Sequence, residues 1–277
     1  MLGGVENYLN IRERLLELYA TTYKSIKIYF RYPMWIVSDI LTTPLWILVL
    51  FIPILLFLPP GQWSNPTYIQ YFYWGMVFWT IISSALWSFG MSIRREQQMG
   101  TIELLFLSNS SRLTLFAGRL ATRFISLVTD LLVMALTIYL FFNTTVVIID
   151  PLLLIFYLTL SIFLSLGFGM MYGGIVLKLK NPNALNNILQ FIIMGLGGIF
   201  IPVQMLPEPL KKIALVFPFS YSADLVRYAA MGTSTILPLY EEILIVILST
   251  IVFNIIGIKI LREIEMNSKK TGKLGTY

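Results

Sequence analysis

Apolar residues run along this chain in six blocks separated by short polar stretches. The blocks cover residues 34–58, 69–93, 124–142, 151–177, 184–205 and 243–261, each close to the ~20 residues that carry a helix across the hydrocarbon core of a bilayer. Six transmembrane helices are therefore predicted. Pro44 and Pro53 fall inside the first block. A kink rather than a break is expected there, because neighbouring helices can cover the carbonyls that proline frees. Ahead of the first block the period changes. Tyr8, Ile11, Leu15, Leu18, Thr22, Ile26 and Tyr29 recur every three or four positions, and Arg12, Glu13, Glu17, Lys24 and Lys27 fall largely elsewhere. Residues 1–32 thus read as an amphipathic helix lying along a membrane face, and residues 33–277 as the membrane domain proper. The first residues mix acids with bases and the apolar run after Pro33 is too long for a signal h-region, so no cleaved signal is expected.

Two stretches interrupt the pattern differently. Residues 202–240 are too apolar for a solvated loop, yet Pro202, Pro207, Pro209 and Pro218 break them too often for a span. Irregular backbone survives at membrane depth only where protein or water satisfies it, so residues 202–232 are read as a re-entrant segment of two short helices. One starts at Glu208 and Pro209, and the other begins at Ser222, carries Asp224 in its first turn and stops at Gly232. The second interruption is RREQQMGTIELLFLSNSSR, residues 94–112. Gly100 punctuates it. Ile102, Leu105 and Phe106 then take i, i+3, i+4 positions on a two-turn helix, with Leu104 and Leu107 beside them and Glu103 opposite. So short a helix is marginal alone. Its apolar face must dock on the bilayer or on a protein.

Composition agrees with a membrane protein: 57% of residues are hydrophobic and 12% charged, against roughly 25% charged in soluble domains. The net charge of +6 is explained by its placement. Of the 20 Lys and Arg, only Lys211, Lys212 and Arg227 fall on one side of the six spans, and the rest cluster at both termini, in 94–123 and at Lys178 and Lys180. By the positive-inside rule both termini and residues 94–112 are cytoplasmic in a plasma-membrane protein. The charge is topological, and no nucleic-acid partner is expected. With no Cys and no His, disulfide, thiolate and imidazole chemistry are excluded and a transition-metal site is not expected. No catalytic residues are assigned.

Few polar groups lie within the apolar blocks. Asn183, Asn186, Asn187 and Gln190 recur at i, i+3, i+4 and i+7 on the fifth, where they could line a cavity or act as interhelical hydrogen bonds. A cavity is favoured. Asp39 and Asp130 are costly in lipid and should be paired; Arg123, two turns ahead of Asp130 on the same face, is the expected partner. Ser161, Ser165, Gly169 and Gly173 form a small-residue stripe that predicts close helix packing. Tyr68, Tyr71, Tyr73, Trp74 and Trp79 crowd the outer half of the second block. They read as an interfacial belt, with Tyr71 and Trp74 as alternative substrate-stacking groups.

The interruption at 94–112 and the residues just after it resemble the permeases of type-2 ATP-binding-cassette (ABC) transporters. The similarity lies in Glu96, Gly100, Thr101, Ile102, Glu103, Leu105, Arg112, Gly118 and Arg119, and again in Pro218, Tyr221, Asp224 and Arg227 after the proline-rich segment. Ser108 stands where many members have Pro. The resemblance covers essentially the whole chain. It implies an all-α membrane fold whose short cytoplasmic helix, with Arg95, Glu96 and Leu104 beside the motif positions, couples to a separate ATPase. That ATPase would hold ATP and Mg, and no cofactor would bind this chain. It also implies pairing with a second permease copy or homologue in the lipid bilayer, and export of a drug, lipid or lipid-linked glycan. The chain has no G-x-x-x-x-G-K-[ST] of its own. An ATP-independent transporter or channel is the alternative for six such spans.

Overall fold

The computed structural model describes residues 11–56, 59, 61, 63–98, 112–176 and 182–271. Among them all regular structure is helical. The helices are α1 (Ile11–Arg31), α2 (Met34–Leu56), α3 (Pro66–Gln98), α4 (Arg112–Phe142), α5 (Pro151–Val176), α6 (Pro182–Leu196), α7 (Glu208–Ala214), α8 (Pro218–Met231) and α9 (Leu239–Thr271), with a 3-10 turn at Val203–Met205.

Four stretches among the described residues are long and apolar enough to cross a membrane: Ile36–Leu56, Phe124–Phe142, Pro151–Gly173 and Leu239–Ile260. They match the first, third, fourth and sixth sequence blocks. The first is one continuous helix through Pro44 and Pro53. The second block lies in α3, which is long but carries Gln70 and many Tyr and Trp, so its hydropathy is lower. The fifth block departs most from expectation. Its helix stops at Leu196, and at ~1.5 Å per residue its 15 residues reach only about 22 Å, short of the ~30 Å hydrocarbon core. Gly195, Gly197 and Gly198 explain the stop, since Gly198 turns the backbone to φ +63° before Pro202.

α3 is the central element, packed against α4, α5, α6 and α8. Its Phe72, Tyr73, Trp74, Val77, Phe78, Ile81, Ile82 and Leu86 are buried. Core position, rather than an interfacial belt, accounts for Tyr73 and Trp74. Phe51, Phe72 and Phe200 continue the core as a stack, with ring centroids 4.3 and 5.3 Å apart, which joins α2, α3 and the chain leaving α6. In contrast, α2, α4 and α9 expose Leu45, Val49, Leu132, Leu136, Leu244 and Leu248. Such apolar faces suit lipid, the solvent of a multi-pass membrane protein.

Lipid tails give no hydrophobic drive between helices, so close approach of small residues matters more. The α5 stripe works in this way. Ser161 and Ser165 are buried, Ser161 Oγ lies 2.7 Å from Ser222 Oγ of α8, and Gly169 lies against the Ala85 backbone of α3. On the α9 side, Gly167 abuts Asn254, which donates to the carbonyls of Phe163 (2.9 Å) and Thr250 (2.8 Å).

α1 packs along α4. Two polar ties join α2 to α4: Ser126 Oγ donates to Asp39 Oδ2 and Thr43 Oγ1 to Asp130 Oδ1, both at 3.3 Å. The carboxylates are one helical turn out of register with each other, so each helix offers one hydroxyl and one acid. Asp130 therefore has a partner on another helix, whereas the side chain of Arg123 lies outside the described residues.

Candidate functional site

Two regions carry the motifs read from the sequence. The first is the segment between α3 and α4. Gly100, Thr101, Ile102, Glu103, Leu104, Leu105 and Phe106 lie outside the described residues, as do the side chains of Arg95 and Glu96 in the last turns of α3. What the structure gives is the frame. With 33 residues α3 is about 50 Å long, well beyond the ~30 Å core of a bilayer. α4 likewise runs through residues 112–123, roughly 18 Å, before its apolar stretch begins at Phe124. The two helices pack on each other. The segment is thus flanked by two long arms that are continuous with the helical bundle.

The second region is the opposite end of the bundle. There Gln70 of α3 bonds both sides of the α4–α5 loop, donating to Thr145 O (3.3 Å) and accepting from Val147 N–H (3.2 Å). The same loop pairs with the end of α8, Ile149 and Asp150 N–H donating to Ala230 and Ala229 carbonyls. α8 itself begins with Pro218 at its first turn and closes on Gly232 in the left-handed conformation. It starts one turn earlier than the Ser222 expected from sequence. Proline at N1 is preorganised for helix, and Ser222 is used instead in the contact with Ser161.

Nearly the whole of α8 is buried, and its motif residues each secure a different stretch of backbone. Tyr221 Oη donates to Leu215 O at the end of α7, 2.8 Å away, helped by Ser220 Oγ donating to Ala214 O at 2.8 Å. Asp224 Oδ2 accepts from Ile236 N–H at 2.9 Å, in the link to α9. Glu242 Oε1 accepts from the next amide, Leu237 N–H, at 2.7 Å. Arg227, 2% exposed, donates through Nη1 to Gly198 O (2.8 Å) and through Nη2 to Ile199 O. These are carbonyls just beyond the end of α6, which the helix cannot satisfy and where its dipole is negative.

The Arg227 guanidinium also lies 3.7 Å from the centroid of the Tyr71 ring, and Tyr71 Oη donates to Gly198 O at 3.5 Å. Gly75, one turn along α3, leaves the space that the Ile199 carbonyl fills. Burial lowers the Arg227 pKa and the neighbouring Tyr71 and Asp224 oppose the shift; a guanidinium stays charged throughout. Burial raises the Asp224 pKa, against the pull of the Ile236 amide and Arg227. Pro202 and Pro207 flank the 3-10 turn and α7 on the way from Ile199 to α8. Together Pro218, Tyr221, Asp224 and Arg227 make α8 a bracket for α6, α7 and α9, a mechanical rather than a chemical arrangement.

The polar residues of α6 separate. Asn183 and Asn187 are exposed, turned away from the bundle, while Asn186 is fully buried and finds no hydrogen-bond partner for its amide among the described residues. Gln190 Nε2 donates to Ser83 Oγ of α3 at 3.1 Å. Tyr71 is engaged with Arg227 and Trp74 is buried, its Nε1 without a partner among the described residues. The six side chains predicted for a substrate path thus do not converge on one surface of the single chain. Gly75, Gln70 and Glu242 complete the second region, and sequence patterns do not single them out. Glu242 carries one signal, an acid in the first turn of a helix after Pro238; Gly75 and Gln70 carry none.

The family model for ABC-2 type transporters matches residues 17–231 of the chain. Among curated proteins, none matches it. The matched stretch includes the α3–α4 segment and all of α8, and ends ahead of Ile236, Leu237 and Glu242.

Proposed function

Since the chain belongs to the ABC-2 type transporter family, we propose that it is the permease subunit of an exporter, moving an amphiphilic substrate such as a drug, a lipid or a lipid-linked glycan out of the cytoplasm. Permeases of this family work with an ATPase subunit. Here two such ATPases dock from the cytoplasm, hold ATP and Mg, and engage Leu104, Leu105 and Phe106 as a desolvated anchor with Arg94, Arg95, Glu96 and Glu103 as polar partners. Gly100, Thr101 and Ile102 are the motif positions directly ahead of that anchor. A second permease, identical or homologous, completes the assembly. The two termini share the cytoplasmic side with this contact.

The observation that carries the proposal is the pair of long arms. A helix is stiff along its axis, so displacement of residues 94–112 by ATP-driven closure passes as a rigid-body movement into α3 and α4. α3 is the core of the bundle and ends in the bracket around Arg227. Movement at one end is therefore transmitted to the other. Asn183, Asn187 and Phe191 on the exposed face of α6 are the polar and aromatic groups that an amphiphile would meet between two permeases.

The test is co-purification of the tagged chain with its ATPase from membranes, in wild type and in Leu105→Asp and Phe106→Asp variants. Wild type is expected to retain a Walker-motif ATPase and the variants to lose it, together with ATP-driven transport in proteoliposomes. Retention of both by the two variants overturns the proposal.

A further inference from the structure

From Leu18 onward, past Glu13 and Glu17, the helical wheel of α1 divides into three stripes. Leu18, Thr21 and Ser25 are half-buried on the side that packs along α4. Beside them, facing outward, run the aromatic residues Tyr19, Tyr23 and Phe30, between 56% and 69% exposed. Beyond these run Lys24, Lys27 and Arg31, also exposed, none of them in an ion pair among the described residues. From Leu18 to Tyr32 the sequence contains no Asp or Glu. The aromatic and basic stripes interlock: the Tyr19 and Tyr23 rings stack with centroids 6.3 Å apart, and Lys27 Nζ lies 5.8 Å from the Tyr23 centroid.

The position of the helix points the same way. Arg31 ends α1 directly ahead of Ile36–Leu56, a stretch able to cross the membrane. The basic end of the helix is therefore held at the level where headgroups begin. Aromatic rings prefer that boundary, long cationic side chains reach from it toward phosphates, and juxtamembrane cations are attracted to anionic lipid. A helix packed on a soluble partner would have no need for such an ordered sequence of helix-facing, ring and cation stripes.

We infer that the outward face of α1 is a binding surface for anionic phospholipid headgroups, the rings of Tyr19, Tyr23 and Phe30 seated among the glycerol backbones and Lys24, Lys27 and Arg31 on the phosphates. This goes beyond the transport role and does not depend on the ATPase. The surface gives the permease a preference for negatively charged lipid around its first helix.

The experiment is native mass spectrometry of the delipidated full chain in detergent, with dioleoyl phosphatidylglycerol or dioleoyl phosphatidylcholine added. Wild type is expected to retain phosphatidylglycerol preferentially. A Lys24→Gln, Lys27→Gln, Arg31→Gln variant should retain at least tenfold less of it, since each such charge is worth about fivefold at an anionic surface; Lys211→Gln, Lys212→Gln should match wild type. If the triple variant fails to fold, the same preference in wild type must weaken severalfold on raising salt from 0.05 to 0.5 M. Equal retention of both lipids by wild type overturns the inference. So does unchanged retention in the triple variant; loss of a co-purifying protein in that case would reassign the face to a protein contact.

Discussion

The guanidinium of Arg227 sits 3.7 Å from the centre of the Tyr71 ring and, on the same buried spot, bonds the carbonyls of Gly198 and Ile199. One side chain of α8 thereby holds both the core helix α3 and the unravelled end of α6. Arg227→Ala leaves the buried Ile199 carbonyl unpaired and Gly198 O with only the long bond from Tyr71, at about 1–3 kcal/mol for an unsatisfied buried group, and removes the stack on Tyr71; it is expected to cost about 3 kcal/mol in thermal unfolding followed in detergent. Arg227→Lys keeps the charge but loses the fork and the flat stack, so it should recover only part of that loss. Tyr71→Phe keeps the ring and should cost under about 1 kcal/mol; a loss as large as that of Arg227→Ala would contradict the stacking.

Glycine is required where backbone meets backbone. A Cβ at Gly75 would collide with the Ile199 carbonyl, and one at Gly169 with the Ala85 carbonyl. Gly75→Ala and Gly169→Ala should each destabilise by about 1–3 kcal/mol, the usual range for overpacking. Gly195→Ala, with open space around it, should be neutral or stabilising, since Ala exceeds Gly in helix propensity by about 1 kcal/mol. Melting temperatures of the three variants check the contrast.

Asp224 predicts a pH dependence. Burial raises its pKa in the folded state above the ordinary carboxylate value, so from about pH 4 upward the folded chain holds a proton that the unfolded chain has released. Bound protons are then more numerous in the folded state, and stability falls as pH rises through that window. Asp224→Asn still accepts from Ile236 N–H but cannot ionise. Unfolding profiles from pH 4 to 8 should therefore show a shallower decline for the variant than for wild type; parallel profiles would contradict the prediction.

The ties between α2 and α4 should be weak. Hydrogen bonds between membrane helices average about 0.6 kcal/mol, with a maximum near 1.7. Thr43→Val and Ser126→Ala are each expected to fall within that range by thermal unfolding. A loss above about 2 kcal/mol for either would contradict this assignment of the two bonds as weak ties.

Long apolar runs make α2, α4, α5 and α9 legible from hydropathy alone, and the resemblance to type-2 ABC permeases singles out Tyr221, Asp224 and Arg227 on α8. What those residues hold is not legible. Their partners are main-chain groups of Leu215, Ile236, Gly198 and Ile199, and a backbone carbonyl or amide has no side-chain signature. The end of α6 escapes hydropathy for a related reason: the apolar run continues through Ile199, Phe200 and Ile201, and only backbone geometry at Gly197 and Gly198 stops the helix. Periodicity places Asn186 and Asn187 on one broad polar face, yet the first is buried and the second exposed. A 100° step between neighbours is enough to do this at the edge of a helix contact. Tyr73 and Trp74 read as interfacial because aromatic composition marks a belt and a core equally well.

Transport by this permease, as proposed, is driven by a separate ATPase seated on residues 101–107. A photoreactive benzoyl-phenylalanine substituted for Leu105, illuminated in intact membranes and analysed by mass spectrometry of the adduct, detects that contact itself. An adduct with a protein carrying a G-x-x-x-x-G-K-[ST] sequence is expected. Adducts with lipid alone, or with no nucleotide-binding protein, would contradict the docking of an ATPase there.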